Sequence, residues 1–180
     1  MPRYEAMHRV KLNKREMVMA GLTGLLRWIE SRLKCDTPAN GQDLYNAIAD
    51  DVAGAMAEAA VAKRWGVFWL GHWNQYGRSD VAGCEVRHTR YHAGHLLVQR
   101  DNPVDATYVL VTGMPPEFII RGWQPGEEAK QEKYWNTDRF KKRPCYSVPQ
   151  AELLDMNDLE ESLREQGLIG CLMPPHEAAV

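Results

Sequence analysis

Long apolar runs are missing from this 180-residue chain; its hydrophobic stretches are only a few residues each, too short for a membrane span. The opening Met1-Pro2-Arg3-Tyr4-Glu5 lacks the apolar core of a signal peptide, so a cytoplasmic protein is expected. The four cysteines, Cys35, Cys84, Cys145 and Cys171, include no close pair, which argues against a disulfide framework or a cysteine zinc knuckle. No glycine-rich loop precedes a Lys-Ser or Lys-Thr pair, and no Gly-x-Ser-x-Gly elbow occurs, so the phosphate-cradling loop and the serine-hydrolase turn are both absent. Cys84 is a poor nucleophile, because Glu85 beside it raises the thiol pKa. Repeats, low-complexity tracts and long linkers are lacking too. With 44% hydrophobic residues, one domain over 1–180 with a sizeable core is the expectation.

A strong excess of either charge is also missing, since the formal net charge is −2. The distribution is uneven. Residues 151–180 hold seven acidic side chains against Arg164, a balance of −6, which leaves +4 for residues 1–150. Basic residues cluster at Arg3, Arg9, Lys11, Lys14 and Arg15, and again at Arg139, Lys141, Lys142 and Arg143. Such clusters suit a phosphate backbone, although either one alone also describes a solvated surface.

What is present is the stretch Ser79-Asp80-Val81-Ala82-Gly83-Cys84-Glu85-Val86-Arg87-His88-Thr89. A small-residue turn follows Asp80, and a β-favouring run then puts Glu85 and Arg87 on one face. Two carboxylates and a cation brought to one point are what a magnesium-dependent phosphodiester-cleaving site requires. The carboxylates hold the hard cation through oxygen, and the positive side chain steadies the phosphate. The same residues equally describe a solvated strand edge. Upstream, Asp43 to Trp65 has helical periodicity, and Glu58 lies in its small apolar stretch Gly54-Ala55-Met56-Ala57-Glu58-Ala59-Ala60. Burying that carboxylate requires a partner or a metal. It is a third candidate ligand, or a helix-surface glutamate facing water.

Glu58, Asp80 and Glu85-Val86-Arg87, in that order, resemble the PD-(D/E)XK nuclease superfamily, in particular its small phage-encoded members with a Glu-Val-Arg or Glu-Val-Lys core. Gly54 to Lys63, Ile120-Arg121-Gly122-Trp123 and Tyr146-Ser147-Val148-Pro149 also match, and the likeness spans roughly residues 8 to 155. It implies a metal-dependent deoxyribonuclease acting in a phage-infected host cytoplasm. Glu58, Asp80, Glu85 and the Val86 carbonyl would hold Mg²⁺ or Mn²⁺, and Arg87 would bind phosphate. Arg87 stands where the superfamily usually has lysine, and arginine cannot serve as a base. It can hold phosphate and stabilise transition-state charge. Arg27, Thr89 and Gln99 are further substrate-binding candidates, Arg27 being equally readable as a snorkelling helix arginine.

The remaining pattern predicts an α/β fold with a mixed central sheet of about four or five strands flanked by helices, and the resemblance implies that this sheet is restriction-endonuclease-like. Helices are expected over Lys14 to Leu33, with an Asn13–Glu16 capping box, over Asp43 to Trp65, over Gly126 to Tyr134 and over Ala151 to Gln166. Val67 to Leu70 reads as a short strand or helix end. Strands are expected at Cys84 to His88, His95 to Arg100, Ala106 to Thr112 and Glu117 to Gly122, with a mobile end after the acidic helix. Trp73 and Tyr76 offer flat faces for base stacking. His88, His92 and His95 have metal-like spacing, but a strand and turn would scatter their rings. Two rival functions stay open. A nuclease-like module that has lost catalysis could bind DNA or a host protein, and the acidic Asp155–Glu165 helix could mimic DNA.

Overall fold

A computed structural model of the chain describes residues 8–34, 44–71, 79–136 and 144–170. In chain order these form β1 (Arg9–Lys11), α1 (Lys14–Lys34), α2 (Leu44–Trp65), β2 (Cys84–Thr89), β3 (Leu96–Gln99), β4 (Thr107–Met114), β5 (Glu117–Pro125), α3 (Gly126–Ala129), a 3-10 turn (Glu132–Tyr134), β6 (Trp135–Asn136), β7 (Cys145–Val148), a second 3-10 turn (Gln150–Glu152) and α4 (Met156–Glu165). The fold is α/β, with a central mixed sheet of order β1-β5-β4-β2. A separate antiparallel sheet has order β3-β7-β6. Strands β4 and β5 form a hairpin, whereas β2 lies parallel to β4 at the sheet edge, with Glu85 level with Tyr108 and Arg87 level with Leu110.

The two faces of the central sheet bury separate cores. On one, Cys84, Val86, Val109, Val111, Phe118 and Ile120 pack with the alanines of α2 and with Met156, Leu159 and Leu163 of α4. On the other, Tyr108 and Leu110 pack with Leu96 and Val98 of β3 and Val148 of β7. Strand alternation therefore sends Val86 toward the helices and Glu85 and Arg87 toward the second sheet.

The expected Asn13–Glu16 capping box forms: Glu16 N–H donates to Asn13 Oδ1 at 3.0 Å, and Asn13 N–H to Glu16 Oε2 at 2.6 Å. Small residues bring α1 and α2 together, and a Cβ on Gly24 would lie 2.5 Å from Val52 Cα. Three expectations need correction. Val67 to Leu70 is neither strand nor helix, because Gly66 ends α2 with φ 65°. The last helix begins at Met156 rather than Ala151; Leu154 instead bridges to Trp123, and Asp155 caps the helix by accepting from Asn157 N–H at 2.9 Å. Gly126 to Tyr134 divides into a four-residue helix and a 3-10 turn. No described helix is long and apolar enough to cross a membrane.

Candidate functional site

Asp80 owes its position to the turn after it. Ala82 and Gly83 both have positive φ, 48° and 87°, and Val81 and Cys84 exchange backbone hydrogen bonds across them at 3.1 and 2.8 Å. This is the geometry of a two-residue hairpin turn. It folds Asp80 back along the outer edge of β2, where Asp80 Oδ2 accepts from Val86 N–H at 2.8 Å. Burial and the nearby Glu58 carboxylate push the Asp80 carboxyl up to about 6, against the smaller pull of the Val86 N–H and of Arg87 and Arg27.

Glu58 arrives from α2. It is 5% exposed, and its partner is an ion pair rather than solvent. Arg27 of α1 grips both oxygens, Nη1 on Oε1 and Nη2 on Oε2 at 2.7 Å, and Trp69 Nε1–H adds a bond to Oε2 at 3.3 Å. Arg27 thus faces inward to a carboxylate. The Arg27 guanidinium also feels Asp80 and Asp51. Asp51, seven residues before Glu58 on the same face of α2, was not singled out in the sequence, although that spacing could have found it. Burial raises its carboxyl, and Arg27 and Arg32 oppose the rise.

Glu85 and Arg87 lie on the far side of the β2 edge. Arg87 Nη2 lies 3.3 Å from Glu85 Oε2 and 3.4 Å from Asn102 Oδ1, Nη1 donates to the Val86 carbonyl at 3.4 Å, and the guanidinium stands 5.1 Å from the Tyr108 ring centre. Burial and Asp80 raise the Glu85 carboxyl, while Arg87 lowers it. Asn102 Oδ1 also accepts from Gln99 N–H at 2.9 Å, so Gln99 touches the site through its backbone and this asparagine. Asn102 is a second residue that the sequence did not flag. Thr89 Oγ1 accepts from Tyr91 N–H at 3.4 Å and lines, with Arg87, Asp50, Asp51 and Arg90, a hollow of about 770 Å³. Asp80 opens instead onto a hollow of about 510 Å³ beside Val67 to Leu70.

Asp80 therefore stands between two groups, Glu58 with Arg27 behind it and Glu85 with Arg87 in front. Comparison with family models, with curated proteins and with solved structures returns no match to this chain.

Carboxylate oxygens suit a hard divalent cation, and Glu58, Asp80 and Glu85 supply them. As placed they do not fit one. Both Glu58 oxygens are held by Arg27, and Glu85 Oε2 lies against Arg87. The Val86 carbonyl faces Arg87 as well. Among the described residues no three His, Cys, Asp or Glu side chains gather as ligands. His88 and His95 take separate partners, His88 Nε2 the Gly113 carbonyl and His95 Nδ1 the Ser147 hydroxyl, each at 2.9 Å. Burial, then Glu85 and Asp80, push the Cys84 thiol up to about 12, the direction expected from the sequence. Trp73, Tyr76, Cys35, Cys171, Arg3 and the basic cluster from Arg139 to Arg143 lie outside the described residues.

Proposed function

We propose that the chain hydrolyses DNA phosphodiesters as a nuclease of the PD-(D/E)XK kind. One observation supports this reading above the others: a carboxyl ionising near pH 6 shares a strand edge with an arginine that has only long, weak partners. Arg87 exchanges its contacts with Glu85 and Asn102 for the oxygens of a phosphate, an anion its planar fork suits. Asp80, ionised at neutral pH, accepts the proton of the attacking water as the water oxygen bonds to phosphorus. The P–O bond to the leaving sugar oxygen breaks, and that oxygen takes a proton from solvent. Glu85 holds Arg87 in line beforehand. Glu58, Asp80 and Glu85 would hold Mg²⁺ or Mn²⁺ only after Glu58 leaves Arg27, and the ion would then supply charge neutralisation at the phosphate.

The closed Arg27–Glu58 pair favours a second reading, in which the same surface binds DNA without cutting it. Plasmid nicking with Mg²⁺ and Mn²⁺ separates the two, measured alongside DNA binding for wild type, Asp80→Asn/Glu85→Gln and Glu58→Gln. Metal-dependent nicking that vanishes in the double variant establishes the nuclease, and its rate should rise with pH through about 6. Metal-independent binding with no nicking, unchanged in Glu58→Gln, establishes the binding module. A folded wild-type protein that neither binds nor nicks ends both.

A further inference from the structure

Helix α1 is apolar on two opposite sides. Its inner side, with Ala20 and Gly24 buried, lies on α2. On the outer side Met19, Leu22, Leu26, Ile29 and Leu33 recur at spacings of three and four, and all are exposed; Val18 and Leu25 widen the stripe. Leu33 is 82% exposed. A helix whose apolar residues form a second stripe opposite its packed side ordinarily has that stripe covered too.

The stripe does not end with the helix. Beside Met19, the segment after α2 presents Phe68, 87% exposed, and Leu70, 62% exposed, around a hollow of about 420 Å³. Together these nine residues offer on the order of 900 Å² of accessible surface, close to the ~800 Å² per partner that a stable interface buries. Patches on monomers rarely exceed about 600 Å².

We infer that this face joins two copies of the chain, with the two α1 helices antiparallel about an axis near Leu22 and Thr23. The ends of the face favour that direction. Phe68 and Leu70 flank the N-terminal half of the stripe, and the exposed Leu33 closes the C-terminal half. A twofold turn about that axis lays Leu26 of each copy over Met19 of the other, and Ile29 over Arg15 and Glu16 beside Phe68. The same turn sets Arg15 of one copy opposite Glu30 of the other. Parallel helices would instead bring Arg15 to Arg15 and Glu30 to Glu30, and like charges across an interface are unfavourable. Among the described residues neither Arg15 nor Glu30 forms an ion pair within its own copy. The stripe points away from Arg27 and Glu58, so pairing does not depend on the chemistry at Asp80.

Sedimentation equilibrium of the full chain from about 1 to about 100 µM tests this pairing. The expected result is twice the mass of one chain. Leu26→Glu, an exposed position whose change leaves the helical circular dichroism intact, should weaken association by roughly 100-fold or more, since each dimer loses two buried leucines. Arg15→Glu should weaken it several-fold, and Arg15→Glu/Glu30→Arg should restore it. A wild-type monomer throughout the range, whether free or bound to lipid vesicles, overturns the inference, as does a dimer that Leu26→Glu leaves intact. A charge exchange that fails to restore association overturns the antiparallel arrangement.

Discussion

At Asp80 the folded protein holds a carboxyl that loses its proton near pH 6, whereas the unfolded chain loses it near 3.8. Between those values the native state keeps a proton that the unfolded state has released. Stability therefore falls as pH rises through the window, and the cost is complete above about 6. Asp80→Asn escapes the cost while retaining an acceptor for Val86 N–H. It should gain on the order of 2 kcal/mol over wild type at neutral pH and nothing below about pH 4, read by denaturant titration. A gain that does not change with pH would place its origin elsewhere. Arg27 and Glu58 behave in the opposite way. Removing the guanidinium leaves a buried carboxylate without its counter-ion, held only by the Trp69 N–H, so Arg27→Met should cost about 3 kcal/mol, and Arg27→Met/Glu58→Gln should recover most of it in a double-mutant cycle. The sequence left Glu58 either facing water or, if buried among its alanines, in need of a partner or a metal. It did not show which one, since Arg27 lies 31 residues away on another helix.

Among the elements, the two long helices and the Asp80 turn were the most legible, because periodicity, the Asn13–Glu16 box and the Ala82-Gly83 pair are local signals. Short strands were not. Three-residue β1 and two-residue β6 are too brief for alternation to register, and β7 pairs with β3 from 46 positions away along the chain. The division into two sheets was likewise hidden, since alternation assigns faces but not neighbours. That matters for the site: Glu85 and Arg87 were correctly placed on one face, but which core that face meets depends on β3 and β7. The α1–α2 contact gives an element-scale prediction with an inverted sign. Glycine to alanine in a helix ordinarily gains roughly 1 kcal/mol. At Gly24 the added methyl would meet Val52 Cα at 2.5 Å and Asp51 O at 2.7 Å, so Gly24→Ala should instead lower stability by about 2 kcal/mol in chemical denaturation.

For the molecule as a whole, Glu160 decides how the C-terminal helix joins the rest. It is 1% exposed and accepts from Arg64 at 3.2 Å, Trp65 Nε1 at 3.3 Å and Arg164 at 3.1 Å, tying α4 to the end of α2. One carboxylate of the acidic Asp155–Glu165 helix is therefore structural, and Met156, Leu159 and Leu163 of the same helix are buried in the core. Glu160→Gln should cost roughly 3 kcal/mol, because two arginines lose their counter-ion. Hydrogen exchange should show α4 opening before the central sheet; equal protection of both would mean that its apolar contacts alone suffice.

The open edge of the central sheet gives Asp80 and Arg87 a second occupation. An edge strand offers unpaired N–H and C=O groups to any chain that can lie alongside it. At Val86 the N–H is taken by Asp80 and the C=O by Arg87. These side chains stand as gatekeepers against strand addition from a neighbouring molecule. Asp80→Ala should then scatter light on gentle warming while Asp80→Asn stays clear. If so, a protein of this design could give up its chemistry and still need a hydrogen-bond acceptor at position 80, for solubility's sake.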